Sequence, residues 1–488
     1  LRDGLIEVPG CSGVGIDSKD YCIYPESGYL VYRGNNMFGG DTLLKECEGD
    51  CDYDGDCSGD LKCFKRDGDE SVPGCKGVGK SGTDYCYRDP TVVTPPPDVD
   101  WELPECGTVP VSYLPGEGNV YENNLQLSTG LTSRIIAVGG SSVKGSTHKF
   151  HDLPDGAAVF SRPETDGWVY VTNSESSYGG VGAIYFNSQG EVIDYKRLLS
   201  GTQRNCGGGK TFWNTWLTCE EVPDGQVWEV DPWGELSARE TLAGVPSGAD
   251  YESAAYDNRN PNDPKFFITT DSADGPLVRF TPATAALLYA LSSGDFTNLL
   301  HTDGPGLKRE FLVLDYATST TGTFVWSSNE AEGQNSAAAH FQNIEGIDIR
   351  DGMLYMTAKV AKLLFILDLD AMTFEQSSTS SGAFDSQPDQ VARIVDNSGI
   401  LYFCEDGSSE SGVHGRDAQG RYYTILSAAN SYMSGETTGL AFSPDNKSMY
   451  VAYQKQHKIV EVRRTDGCPF NGQRLDIKYH DDDTNFVL

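Results

Sequence analysis

The sequence predicts an all-β fold: a β-propeller preceded by small disulfide-rich modules. Three observations carry this. Past residue 106 the chain runs in short period-two strands separated by Asp-Gly, Gln-Gly and Asp-Asn turn pairs. The 488 residues include 55 Gly, 25 Tyr and 20 Phe, a usage that suits many strands joined by tight turns. Of 13 cysteines, eight precede residue 90, which points to an oxidising compartment and hence an extracellular, secreted location.

Taken in order, residues 1–25 form a partial Cys-rich repeat, 26–46 a connecting segment and 47–90 a second repeat. Arg2-Asp3-Gly4, Val8-Pro9-Gly10-Cys11 and Asp20-Tyr21-Cys22 recur 64 positions later, as Arg66-Asp67-Gly68, Val72-Pro73-Gly74-Cys75 and Asp84-Tyr85-Cys86. The first copy lacks the cysteines that precede the second, so either more of this module is expected upstream or its first half is lost by processing; without Met or a signal peptide the chain reads as a mature or trimmed product. Modules this poor in aliphatic residues need disulfides, and six cysteines allow fifteen pairings. Within them, Cys51-Asp52-Tyr53-Asp54-Gly55-Asp56-Cys57 resembles a calcium loop without the closing Glu of an EF-hand. Residues 91–105 are a Pro-rich, extended linker. The modules are expected to mediate self-association.

Residues 106–488 form the propeller. Strands are predicted at 167–173, 183–187, 191–198, 226–231, 266–270, 346–349, 353–357, 363–367, 400–404 and 449–453, and a helix only over 282–291. This pattern suits five to seven four-stranded blades, with a pair of β-sandwiches as the competing architecture. No apolar run approaches the length of a membrane span.

A formal charge of -34, from 71 acidic and 37 basic residues, excludes nucleic acid and anionic membranes as natural partners and favours divalent cations. The densest chemistry lies in Asn205-Cys206-Gly207-Gly208-Gly209-Lys210 and Trp213-Asn214-Thr215-Trp216-Leu217-Thr218-Cys219-Glu220-Glu221. A thiol beside paired carboxylates suits a metal centre, and the glycines would let backbone approach an ion closely. A Gly hairpin leading into a strand with a solvated acidic end is the plainer reading of the same residues.

Other segments agree with the first. Leu153-Pro154-Asp155-Gly156-Ala157-Ala158, Val171-Thr172-Asn173-Ser174-Glu175, Tyr251-Glu252-Ser253-Ala254-Ala255, Gly275 to Phe280, Asn343-Ile344-Glu345-Gly346, Cys404-Glu405-Asp406-Gly407 and Thr438 to Asp445 follow in the order seen in the PhoX-like alkaline phosphatase family, which the chain resembles over roughly residues 106–488. The resemblance implies about six blades and a calcium and iron cluster. Its ligands would be Cys206, Glu175, Glu220, Glu221, Glu252, Glu345 and Glu405, converging on the channel. If the family's phosphomonoester hydrolysis persists, Glu220, Glu252 and Glu345 would be its catalytic groups.

Departures from the family pattern fall on phosphate recognition. The phosphate-binding Arg aligns with Asn343, and two motif histidines with Ser174 and Tyr251; Lys210, Arg279 or Lys359 would have to supply the lost charge. Two functions follow: a metal-stiffened structural subunit of an extracellular assembly or filament, or an active phosphomonoesterase anchored by its modules.

The large domain has an odd set of cysteines. Cys106 and Cys468 flank it and are expected to close the ring as a disulfide, and Cys219 with Cys404 to pair, leaving the Cys206 thiol for metal, although an intermolecular disulfide would settle the count equally well. Asn446-Lys447-Ser448, in a predicted turn, is the one N-glycosylation sequon.

Overall fold

The computed structural model describes residues 31–32, most of 44–87, 116, 118 and 120–481, excepting 163–166, 395–398, 408–409 and 472–476 in the last stretch. The partial repeat at 1–25, the Pro-rich linker and Cys106 lie outside the described residues. The chain divides into two compact units, Leu1–Leu103 and Pro104–Leu488.

In the first unit the disulfides are Cys47–Cys75, Cys51–Cys63 and Cys57–Cys86. Among the described residues, Cys51, Cys57, Cys63 and Cys86 cluster with Leu44 and Leu61, so the crosslinks themselves make most of the cluster. Here the crosslinks substitute for hydrophobic area that so short a module cannot bury. The segment that resembles a calcium loop is thus bounded by two disulfide cysteines; its centre, 53–55, lies outside the described residues.

The second unit is all-β and propeller-like. Six strands, Pro154–Ser161, Asn205–Lys210, Tyr251–Asp257, Ile344–Arg350, Gln387–Ala392 and Thr437–Phe442, pack each against the next, and the last against the first. Each leads outward into an antiparallel meander. Leu131–Val138 comes from before the first meander but pairs with Lys458–Arg464 of the last, so hydrogen bonds close the ring. The closure expected of Cys106 and Cys468 concerns a second tie at the same seam: Cys468 is disulfide-bonded, and Cys106 lies outside the described residues.

Every strand predicted from the sequence is present within two residues of its expected ends, and those deepest in the sheets, such as Trp168–Ser174 and Ser448–Tyr453, are buried on both faces. The predicted helix is found at Thr284–Ser293 and stops at Gly294, whose φ of 74° is a left-handed cap. A second helix, Glu330–His340, was not expected from the sequence. It lacks an apolar stripe; its signals are the Asn329 cap, which accepts from the Ala331 amide, acidic residues in the first turn, and alanines.

The inner strands approach one another closely at their glycines. A Cβ on Gly207 would lie 2.4 Å from the Glu252 carbonyl oxygen, and one on Gly209 1.8 Å from that of Ala254. These glycines therefore serve strand-to-strand packing, and Gly207 also leaves room for the Glu252 carboxylate, 2.6 Å from where its Cβ would stand. Gly209→Ala is expected to cost about 3 kcal/mol of stability, because backbone rather than a side chain must give way. Urea unfolding checks this, and an unchanged midpoint contradicts it.

Nor do Cys219 and Cys404 pair. Both thiols are free and buried, in different hydrophobic clusters: Cys219 with Leu217, Val227 and Tyr251, and Cys404 with Tyr402, Val413 and Tyr453. They occupy matching positions on second strands of different meanders, which is why their sequence contexts look alike.

Candidate metal centre

Five of the six inner strands pair with their second strands in one register, and the sixth departs from it by one residue. Pro154 faces Ser174, Asn205 faces Glu220, Tyr251 faces Thr270, Ile344 faces Ala358, Pro388 faces Glu405 and Thr437 faces Tyr453. In these five the inner strand is irregular directly after the pair. A bulge there frees the next side chain from the ladder and turns it inward. The residues so placed are Asp155, Cys206, Glu252, Glu345 and Asp389; on the sixth strand Thr438 still faces Ala452, and its hydroxyl joins the ring through Asp155. On the second strands, the residues after the paired ones are Glu175, Glu221, Asp271, Lys359, Asp406 and Gln454. These two rings make the site.

Donor atoms converge in three overlapping groups, Asp155–Glu175–Cys206, Cys206–Glu221–Glu252 and Glu252–Glu345–Asp389, with the atoms of each group within 4.8 Å of one another. Gln454 Nε2 donates to Asp155 Oδ2 at 2.7 Å, to Glu436 Oε1 at 3.0 Å and to Glu175, while the Thr438 hydroxyl donates to Asp155 Oδ1 at 2.8 Å. Arg204 bridges Glu175 and Glu221. The Lys359 ammonium lies 2.7 Å from Glu345, 3.4 Å from Asp271 and 3.6 Å from Asp406.

Negative charge is nevertheless in excess. Both carboxylate oxygens of Glu252 and Asp389 Oδ2 are buried without a hydrogen-bond partner among the described residues. Burial, then the charges of Glu345 and Glu221, pushes Glu252 well above the usual carboxylate range. Asp389 is raised by burial and by Asp155. Burial, opposed by Gln454 and Thr438, brings Asp155 to about 6; burial with Asp155 and Glu221, opposed by Arg204, brings Glu175 to about 8. The Cys206 thiol is pushed up by burial and by Asp155 and Glu252. Such groups either take up protons or share cations. Oxygen-rich donors with orphaned, buried atoms fit a hard ion such as calcium, and the single thiol fits a softer one such as iron.

Of the residues singled out from the sequence, Glu175, Cys206, Glu221, Glu252 and Glu345 meet here. Glu220 and Glu405 do not. The Glu220 carboxylate accepts from the Gln203 and Gln226 amides and from Trp228 Nε1, and Glu405 from the Asp385, Ser386 and Gly412 amides. Both clasp loops from the opposite face of their strands, since adjacent strand residues point opposite ways.

Among the candidate phosphate ligands, Arg279 pairs with Glu310 and stacks over Trp326, away from both rings. Lys210, at the far end of its strand from Asn205, donates to the Val159 carbonyl oxygen at 2.8 Å. Asn343 Nδ2 donates to Asp271 at 2.7 Å, so it borders the site and is already engaged. Tyr251 accepts from the Val245 amide, and the Ser174 hydroxyl donates to the Asp152 carbonyl. Asn446, at a φ of 55°, sits in the turn between Thr437–Phe442 and Ser448–Tyr453.

Asp389, Asp271, Asp406, Glu436 and Gln454 were not singled out. Asp389-Gln390 lacks the small residue that follows Asp155, Cys206, Glu252 and Glu345 at the bulge, and Asp406 lies next to a Glu that looks the better ligand. The recurring acidic-then-small pair was the signal available.

Residues 182–284 match the family model of the alkaline phosphatase PhoX, a stretch that includes Cys206, Glu221 and Glu252. Among solved structures, Pseudomonas fluorescens PhoX in complex with vanadate, a transition state analogue, is 15% identical, with a TM-score of 0.57, and the match covers 74% of this chain and 99% of that one. A gluconolactonase from Xanthomonas campestris is 11% identical over 72% of this chain and 97% of its own, with a TM-score of 0.36. No curated protein matches the chain.

Proposed function

We propose that this chain is a secreted, six-bladed, PhoX-like propeller that holds divalent cations, calcium foremost, in its central channel. The observation that carries the reading is the set of buried, unpartnered oxygens on Glu252 and Asp389 within a ring of converging donors. Asp155, Glu175, Glu221, Glu252 and Asp389 would hold calcium and Cys206 an iron. Ions there would neutralise the buried carboxylates and, in a catalyst, polarise a phosphoryl oxygen.

The cation-loaded propeller is proposed to act as a structural subunit of an extracellular assembly, associating through its N-terminal modules at 1–25 and 47–90. Three disulfides in the first unit support an oxidising location, and no helix among the described residues is long and apolar enough to cross a membrane. The state of the phosphate-recognition positions supports a structural role: Asn343, Tyr251 and Ser174 each serve a local hydrogen bond, and Arg204 and Lys359 are engaged by carboxylates. The match to the phosphatase family over residues 182–284 favours a second reading, that hydrolysis of phosphate monoesters survives.

One preparation tests both. The expected result is tightly held calcium, oligomers in light scattering, and no release of phenol from an aryl phosphate with calcium and iron present. Turnover that disappears in Glu252→Gln would establish the second reading. A protein free of bound cations would overturn both.

A further inference from the structure

Lys359 stands at a ring position otherwise given to acids and an amide. Its equivalents on the second strands of the meanders that share its register are Glu175, Glu221, Asp271 and Asp406, and Gln454 reaches the same ring from the sixth through Asp155. Glu345, Asp271 and Asp406 converge on its ammonium at 2.7, 3.4 and 3.6 Å, and Asp389 adds to the field that holds it charged. Several carboxylates meeting at one point is the arrangement that receives a hard metal ion; here a nitrogen occupies the point at hydrogen-bond and ion-pair distances.

The chain around Lys359 is pinned. Its amide donates to the Asn343 carbonyl oxygen at 2.9 Å, its own carbonyl accepts from Lys362, and Asn343 in turn holds Asp271 at 2.7 Å. The ammonium is thereby fixed from a rigid strand end and not from a mobile loop. On the neighbouring inner strand, Glu252, with a donor atom within 4.8 Å of those of Glu345 and Asp389, keeps both oxygens unpartnered. Neutralisation is thus uneven: Lys359 serves Glu345, Asp271 and Asp406, and Arg204 serves Glu175 and Glu221, whereas Glu252 and Asp389 keep buried oxygens that no built-in cation among the described residues reaches.

We propose that the Lys359 ammonium is a tethered counter-cation that fills one cation position of the channel, so that the chain binds one divalent ion fewer than its rings would otherwise hold. The inference rests on the cation-binding reading above and adds to it a fixed stoichiometry and one position of the channel taken by the protein itself. It also gives the lysine a different part from phosphate recognition, since its charge is spent on the protein's own carboxylates.

The test compares the full chain with Lys359→Met and Lys359→Arg. Each is equilibrated with calcium and desalted, its calcium is counted by elemental mass spectrometry, and its melting temperature is measured with and without chelator. The Met variant is expected to carry one more calcium per chain and to lose more thermal stability on chelation; the Arg variant should keep the wild-type count. Equal counts in the wild type and the Met variant overturn this inference alone, whereas a wild type that binds none overturns the reading on which it rests. If the Met variant folds only when millimolar calcium is supplied, the ion has replaced the ammonium and the inference stands. Failure to fold at any calcium concentration overturns it.

Discussion

Chelating the protein at pH 8 is expected to lower its melting temperature by roughly 10 °C, and the loss should shrink as the pH falls toward 5. Ions held at about a thousand times their dissociation constant stabilise the folded chain by about 4 kcal/mol each site. A few degrees per kcal/mol then gives the shift. The pH dependence follows from the carboxylates. Asp155 moves from 3.8 to about 6 and Glu175 from 4.5 to about 8 in the cation-free fold, both raised. A raised carboxyl favours the folded state while it is protonated. Its contribution is therefore complete below about pH 4 and is lost as the pH climbs through 6 for Asp155 and through 8 for Glu175.

With cations the slope reverses, because protons compete with metal for the same oxygens. Melting curves from pH 5 to 9 in chelator and in calcium should therefore diverge with rising pH. A chelated protein that gains stability between pH 5 and 8 would show that these carboxylates are not buried together.

Glu252→Gln and Glu220→Gln are expected to act in opposite directions, although both remove one glutamate charge from the same part of the fold. Glu252 has no hydrogen-bond partner to lose among the described residues and sits beside Glu345, Glu221 and Asp389, so neutralising it relieves repulsion and desolvation. The chelated variant should melt higher than the chelated wild type by several degrees, while its calcium affinity falls by about 10- to 100-fold. Glu220, by contrast, accepts from two amides and an indole N–H, and a glutamine there must turn a donor toward a donor. That change should cost about 2 kcal/mol and leave calcium affinity near wild type. Calorimetry for binding and urea unfolding for stability separate the two outcomes; a large affinity loss in the Glu220 variant would return that residue to the metal site.

The contrast between these neighbours shows how far the sequence could be read. Cys206, Glu252 and Glu345 stand out because each precedes a small residue, and the fold repeats that pair wherever an inner strand bulges. The same rule reaches Asp155, which lies within a quoted motif. It misses Asp389, followed by Gln390, whose bulk is accommodated by hydrogen bonds to Asp155 and to the Gly439 amide. On the second strands the reading slipped by one residue at Glu405, where Asp406 is the group in the ring, and it took both members of the Glu220-Glu221 pair where the register admits one. A slip of one residue on a strand moves a side chain to the other face.

The sequence by itself determined the all-β class, the places of the strands, a helix near 282–291, the disulfide-rich module and the likeness to PhoX. Each of these is written locally, in hydrophobic period, turn chemistry or a short run of residues. The tertiary structure alone decided that Leu131–Val138, from before the first meander, completes the last sheet, that Cys219 and Cys404 stay apart as free thiols, and that Lys359 sits among acids drawn from three meanders. These depend on which residue pairs with which across the ring. Pairing is fixed by contacts between segments far apart in the chain, so no window of sequence contains it.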